Sequence, residues 1–162
     1  MPILLSLILC AASPEAGIDP DPAAILERLR EARGLGGIPT LATGATFLAE
    51  TGGCIRIPGA LPDMGRWPEP ALAFALAHEW SHLRSDHPRR LRAARAFLLA
   101  GGAGSVPAPP LHWELAADAD ALEWIMEAGY PPYAALDALD AYAQPSPRQW
   151  ARRIALARAI GG

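Results

Sequence analysis

The chain has 162 residues, 51% of them apolar, and a formal net charge of −3. That length fits one domain, and that apolar share is enough for one core. A slightly acidic balance gives no electrostatic reason to expect nucleic acid as a partner.

The first element is an apolar run over residues 3–12, followed by Ser13-Pro14-Glu15. It is too short to cross a bilayer and fits the core of a signal peptide, with Ala11 and Ala12 offering a cleavage site. The expected organisation is a signal peptide over 1–17 and one domain over 18–162. The mature chain is then periplasmic or secreted, with no stable membrane span. Two alternatives are an uncleaved apolar segment and a lipid anchor at Cys10, although Leu9 is larger than the residue that usually precedes a lipidated cysteine. Alanine, proline and arginine are heavily used and lysine is absent, which reads as a bacterial genome rich in G and C. If Cys10 leaves with the signal, Cys54 remains as a single thiol; the alternative is a Cys10–Cys54 bridge, for which the sequence offers no support.

After a linker rich in Pro and Asp, a helix is predicted over 22–33, starting on proline and stopping at Gly34, Gly36 and Gly37. Residues 40–50 and 54–58 read as short strands around Thr51-Gly52-Gly53, the pattern of a hairpin. A loop over 59–70 leads into a helix from 69 to about 84. Its apolar run, Ala71 to Ala77, contains no Gly or Pro. Further helices are predicted over 88–100, 111–128, 132–143 and 147–160, with a Gly/Pro-rich loop over 101–110. Arg84, Arg89, Arg90, Arg92 and Arg95 read as a solvated helix face. A few strands followed by helices make an α+β domain.

His78-Glu79-Trp80-Ser81-His82 is an H-E-x-x-H pentapeptide that holds two of the chain's four histidines. Residues four apart on a helix lie on one face, so both imidazoles can grip one cation, with Glu79 placed to work on a water bound to it. Leu72, Leu76, Trp80 and Leu83 form a separate apolar stripe. Catalytic zinc usually takes three protein ligands and keeps a fourth position open. The candidates for the third are His87, His112 and the acids of the 111–128 helix. Glu114 and Asp118 share a face with Ala121 and Ile125. Glu114 can bind metal, and Asp118 can accept a hydrogen bond from a ligand imidazole. Ala117 and Ala121 are small enough to let this helix approach the first. Asp120 and Glu123 point elsewhere and read as solvated. The five tryptophans read as packing residues.

With these residues the chain resembles the M48-type gluzincin metallopeptidases, the group of the Ste24 and HtpX enzymes and their small soluble relatives. Three matches carry the resemblance: Leu76-Ala77-His78-Glu79-Trp80-Ser81-His82 with His87 closing an H-E-x-x-H-x4-H pattern, Glu114-Leu115-Ala116-Ala117-Asp118, and Ala128-Gly129-Tyr130-Pro131. It runs from about Gly53 to the C-terminus. It implies a compact zincin-like metallopeptidase domain with short N-terminal strands, an active-site helix and a mostly helical C-terminal part. It implies one Zn2+ per chain on His78, His82 and Glu114, with Glu79 as general base and Asp118 supporting a ligand. The activity implied is that of a metalloendopeptidase acting on protein or peptide substrates. Cys54, Ile55, Arg56 and Ile57 resemble the edge strand that pairs with extended substrate. Arg153 is matched to a later family arginine, in preference to Arg152. His87 is expected to make a structural hydrogen bond and not to bind zinc.

The family's late His-Pro pair is Gln144-Pro145 here. Arg153, Tyr130 and Tyr142 are the candidates for stabilising the oxyanion. The alternatives to a peptidase are a catalytically silent zinc-binding or chaperone-like domain of the same fold, and a different H-E-x-x-H protease class acting in the cytosol.

Overall fold

The computed structural model describes residues 20–58, 67–100, 108–142 and 146–162. The expected signal peptide, Cys10 and Gln144 lie outside the described residues. Among those described, six helices and three strands follow one another: α1 (Pro22–Arg33), β1 (Thr40–Gly44), β2 (Leu48–Glu50), β3 (Cys54–Pro58), α2 (Glu69–Arg84), α3 (His87–Ala100), α4 (Leu111–Glu127), α5 (Ala134–Tyr142) and α6 (Pro147–Gly161). The domain is α+β. No described helix is long and apolar enough to cross a membrane.

α1 begins where Asp21 accepts a hydrogen bond from the Ala23 backbone N–H, with Pro22 in the first turn, and it closes at Gly34. Ile25, Leu26 and Leu29 turn inward, one helical face apart from the exposed side.

The single strand expected over 40–50 is two strands. β1 runs parallel to β3, β2 runs antiparallel to it, and the sheet order is β1-β3-β2. The chain therefore reverses over Ala45-Thr46-Phe47. Phe47 anchors the reversal by burying its ring against Trp67, at 5.4 Å between centroids. The β2–β3 hairpin does form. Gly52 and Gly53 both carry positive φ, 104° and 79°, which side chains with a Cβ avoid.

α2 is the centre of the molecule. It touches the sheet and α1, α3, α4 and α5. Leu72, Phe74 and Leu76 are buried, each contributing about 1.5–3 kcal/mol of apolar burial. The expectation was one apolar stripe beside a separate histidine face. Instead nearly the whole circumference from Ala71 to His82 is covered, as befits a helix packed on all sides. α4 packs against α2 where Ala77, Ala117 and Ala121 are fully buried, small side chains that allow a close approach. Trp80 meets Trp124 edge-on at 6.0 Å, and Ser81 Oγ donates to Asp120 Oδ2 at 2.6 Å. Asp120 thus links the two helices and is not merely solvated, whereas Glu123 pairs with Arg33 at the surface. Arg84, Arg89, Arg90, Arg92 and Arg95 are exposed.

Candidate metal centre

His78 and His82 stand one turn apart on α2, and their Nε2 atoms are 3.0 Å from each other. Glu114, in the first turn of α4, faces both. Its Oε2 is 3.5 Å from His78 Nε2 and its Oε1 is 3.7 Å from His82 Nε2. Each of the three offers one ligand atom, and those atoms all lie within 4.8 Å of one another. The group is close enough to hold a metal ion. The tight α2–α4 packing brings the carboxylate to the imidazoles, and burial makes their mutual pairing obligatory.

Asp118, one turn after Glu114, is almost completely buried. His78 Nδ1 lies 2.9 Å from its Oδ1, so a proton is held on Nδ1 and Nε2 is the nitrogen turned toward His82 and Glu114. Burial alone would raise the Asp118 pKa. Hydrogen bonds from Arg152 and His78 outweigh it and hold the carboxyl below its usual range. The same logic applies at Glu114. Burial opposes ionisation, but His78 and the positive charge of Arg152 bring its pKa down to about 2. His78 is the counterpart. Burial opposes its protonation, yet Asp118 and Glu114 push its pKa up to about 9. For His82, burial and the neighbouring charge on His78 bring the pKa down to about 4. Without a metal ion, then, His78 carries a second proton, on Nε2, and is cationic at neutral pH, while His82 is neutral.

Glu79 is buried beside the trio. Its Oε2 accepts a 2.7 Å hydrogen bond from the Ala49 N–H, so the edge of β2 orients this carboxylate. Burial raises its pKa, and the opposing pull of His78 and the Ala49 N–H does not cancel the effect. A cleft of about 220 Å³ opens over these groups. It is walled by Phe47, Leu48, Phe74, Ala75, Leu91 and Leu139 around His78, Glu79, His82 and Glu114.

Compared with known proteins, the chain matches no protein-family model, no curated protein and no solved structure.

Several expected positions fall elsewhere. Arg153 turns outward and pairs with Asp140 at the surface. Arg152 reaches the centre in its place, donating twice to Asp118 and lying 3.3 Å from Glu114 Oε2. The physical reason is helical phase, since one residue turns a side chain by roughly 100°. Arg148, Arg152 and Leu156 are spaced four apart. Arg148 and Arg152 reach Glu114 and Leu156 is buried, so that spacing was the signal that could have found Arg152.

The strand Cys54, Ile55, Arg56 and Ile57 is not an edge. β3 is paired on both sides, Ile55 and Ile57 are fully buried, and Arg56 pairs with Glu50. Sheet order decides this, and sheet order is not local in sequence. Ala49 on β2, which touches Glu79, was not among the expected site residues. In the full chain Cys54 is disulfide-bonded, so the single thiol expected after loss of Cys10 is not the state seen here.

Tyr130 is also away from the centre. Its hydroxyl donates to Glu69 and Arg28 lies over its ring. The side chain of Tyr142, the remaining oxyanion candidate, lies outside the described residues, as does Gln144. His112 is exposed. His87 is buried and makes the expected hydrogen bond, to His82.

Proposed function

We propose that this chain is a zinc metalloendopeptidase of the M48 gluzincin type, with a zincin-like fold, exported to the periplasm or the medium. The observation that carries this reading is the convergence of His78 Nε2, His82 Nε2 and the Glu114 carboxylate beside Glu79. A tetrahedral ion with bonds of about 2.0–2.1 Å sets its ligand atoms roughly 3.3–3.4 Å apart. Here the two Nε2 atoms are 3.0 Å apart, each faces a different oxygen of Glu114, at 3.5 and 3.7 Å, and taking one ligand atom per residue keeps all three within 4.8 Å, so a modest turn of the carboxylate would let the group hold zinc. Two imidazole nitrogens with one carboxylate oxygen are also a donor set that suits zinc.

Zinc in this place supplies Lewis acidity, activating water at neutral pH and polarising a peptide carbonyl. The chain's own residues do the rest. Glu79 takes the proton of the attacking water and passes it to the leaving amine, and a carboxyl with a raised pKa suits both halves of that exchange. Asp118 keeps the His78 proton on Nδ1, and Arg152 keeps Asp118 anionic. The apolar walls of the cleft accept side chains of the substrate and exclude bulk water. An extended peptide would align along the outer edge of β2, next to Glu79, in place of the β3 edge expected from the sequence.

The test is hydrolysis of casein or a peptide library by the zinc-loaded full chain, with and without chelator, beside the Glu79→Gln variant. The variant should keep zinc and lose about a hundredfold or more in rate. Cleavage that survives the chelator, or a Glu79→Gln chain as active as the parent, would overturn the mechanism. Stoichiometric zinc binding without any cleavage would instead favour the silent metal-binding domain.

A further inference from the structure

We propose that His87 is the positioning residue of His82: its Nδ1 accepts the Nδ1–H of His82 and so fixes the tautomer that turns His82 Nε2 toward the metal ion. The inference rests on the metal-centre reading above.

The two Nδ1 atoms are 2.7 Å apart. On the other side of its ring, His82 directs Nε2 at His78 Nε2 and Glu114. A neutral imidazole carries one proton, and a nitrogen that binds metal cannot hold it. With Nε2 as the ligand atom, the His82 proton must sit on Nδ1 and must be donated. The group that meets it is His87 Nδ1. Two N–H groups cannot face each other at that distance, so His87 carries its own proton on Nε2 and accepts. The two ligand histidines are thereby steadied by different chemistry. His78 donates to the carboxylate of Asp118, while His82 donates to a neutral ring. A carboxylate in the place of His87 would add a further negative charge beside the ion.

His87 is held for this task from two directions. Asp86 has φ 56°, the left-handed conformation that Asp tolerates better than most residues. That single residue turns the chain from α2 into α3 and swings His87 back over His82. The His87 ring then stacks on Trp113, with centroids 4.3 Å apart and planes 1° from parallel. Trp113 precedes Glu114, so the stack couples the α2–α3 turn to the helix that delivers the third ligand.

The decisive comparison is His87→Phe against His87→Asn. Phenylalanine keeps a flat ring over Trp113 but offers no acceptor. Asparagine gives up the ring, but its Oδ1 is bonded to Cγ as Nδ1 is in histidine, so it restores an acceptor at that position. Zinc affinity is measured by competition with a chromophoric chelator, and thermal melts of the chelated proteins establish that each variant folds. His87→Phe should bind zinc about 10–100-fold more weakly, and His87→Asn should stay within about threefold of the parent. A packing role predicts the reverse order, and His87→Phe binding as tightly as the parent would overturn the assignment alone. A parent chain that binds no zinc would overturn the metal centre and this inference together. Imidazole 15N shifts of the zinc-loaded parent give an independent reading. A proton on His82 Nδ1 and a bare His87 Nδ1 are expected, and a proton found on His87 Nδ1 would refute the proposal.

Discussion

Arg152 grips Asp118 with two hydrogen bonds, Nε to Oδ2 at 2.7 Å and Nη2 to Oδ1 at 2.6 Å. This fork is the only cationic group touching Asp118 besides His78 among the described residues, and it joins α6 to the α2–α4 pair. Planar guanidinium suits this geometry, and a lysine would not reproduce it.

Removing that fork should be costly. Arg152→Ala leaves Asp118 buried with half its partners gone, and about 3–5 kcal/mol of stability should be lost. Arg153→Ala breaks a surface pair with Asp140, for which a change below about 1 kcal/mol is expected. Chemical denaturation of the two single variants checks the contrast. Equal effects would mean that the helical phase of α6 is other than described.

The metal-free chain should also respond to pH in a defined direction. Burial opposes the charge on His78, but Asp118 and Glu114 raise its pKa to about 9, above its ordinary 6.5. The folded chain therefore holds this proton more tightly than the unfolded chain. That stabilisation is complete below about pH 6.5 and is lost as pH rises through about 9, on the order of 3 kcal/mol in all. Melts in the presence of chelator should show Tm falling across that window. A metal ion must displace the same proton, so binding near pH 7.5 should release about one proton per ion. Calorimetry in buffers of different ionisation enthalpy measures the number, and a value of zero would contradict the charge assignment.

The approach of α4 to α2 is set by alanine. Ala117 lies between Glu114 and Asp118 and is fully buried, whereas Ala116 is exposed. Ala117→Leu should destabilise by about 1–3 kcal/mol and weaken zinc binding, because the helices must part and Glu114 withdraws from the histidines. Ala116→Leu is the control and should change stability by less than about 0.5 kcal/mol. Paired denaturation and chelator-competition measurements test both, and unchanged zinc affinity in Ala117→Leu would remove close packing from the account of the site.

Much of this was legible in the amino-acid order because it depends on neighbours in the chain. Asp21-Pro22 and Gly34 bracket α1, and the alanine-rich run after Pro70 carries α2, since caps and propensities act within a turn. His78, His82, Glu114 and Asp118 could be paired by four-residue spacing for the same reason. The structure brings those four together.

Other features required the chain to fold back on itself. Residues 40–50 divide into β1 and β2 because both flank β3, and only that pairing takes Cys54, Ile55, Arg56 and Ile57 away from an edge. The choice between Arg152 and Arg153 depends on which face of α6 meets α4, a rotation the local sequence leaves open. Ala49 beside Glu79, and His87 between His82 and Trp113, depend on contacts among segments far apart in sequence. The residue types for the centre and their local spacing were determined by the sequence alone. The proton positions, the charge balance and the arginine that holds Asp118 were decided by tertiary packing, because a buried polar group takes its partner from whatever the fold places beside it.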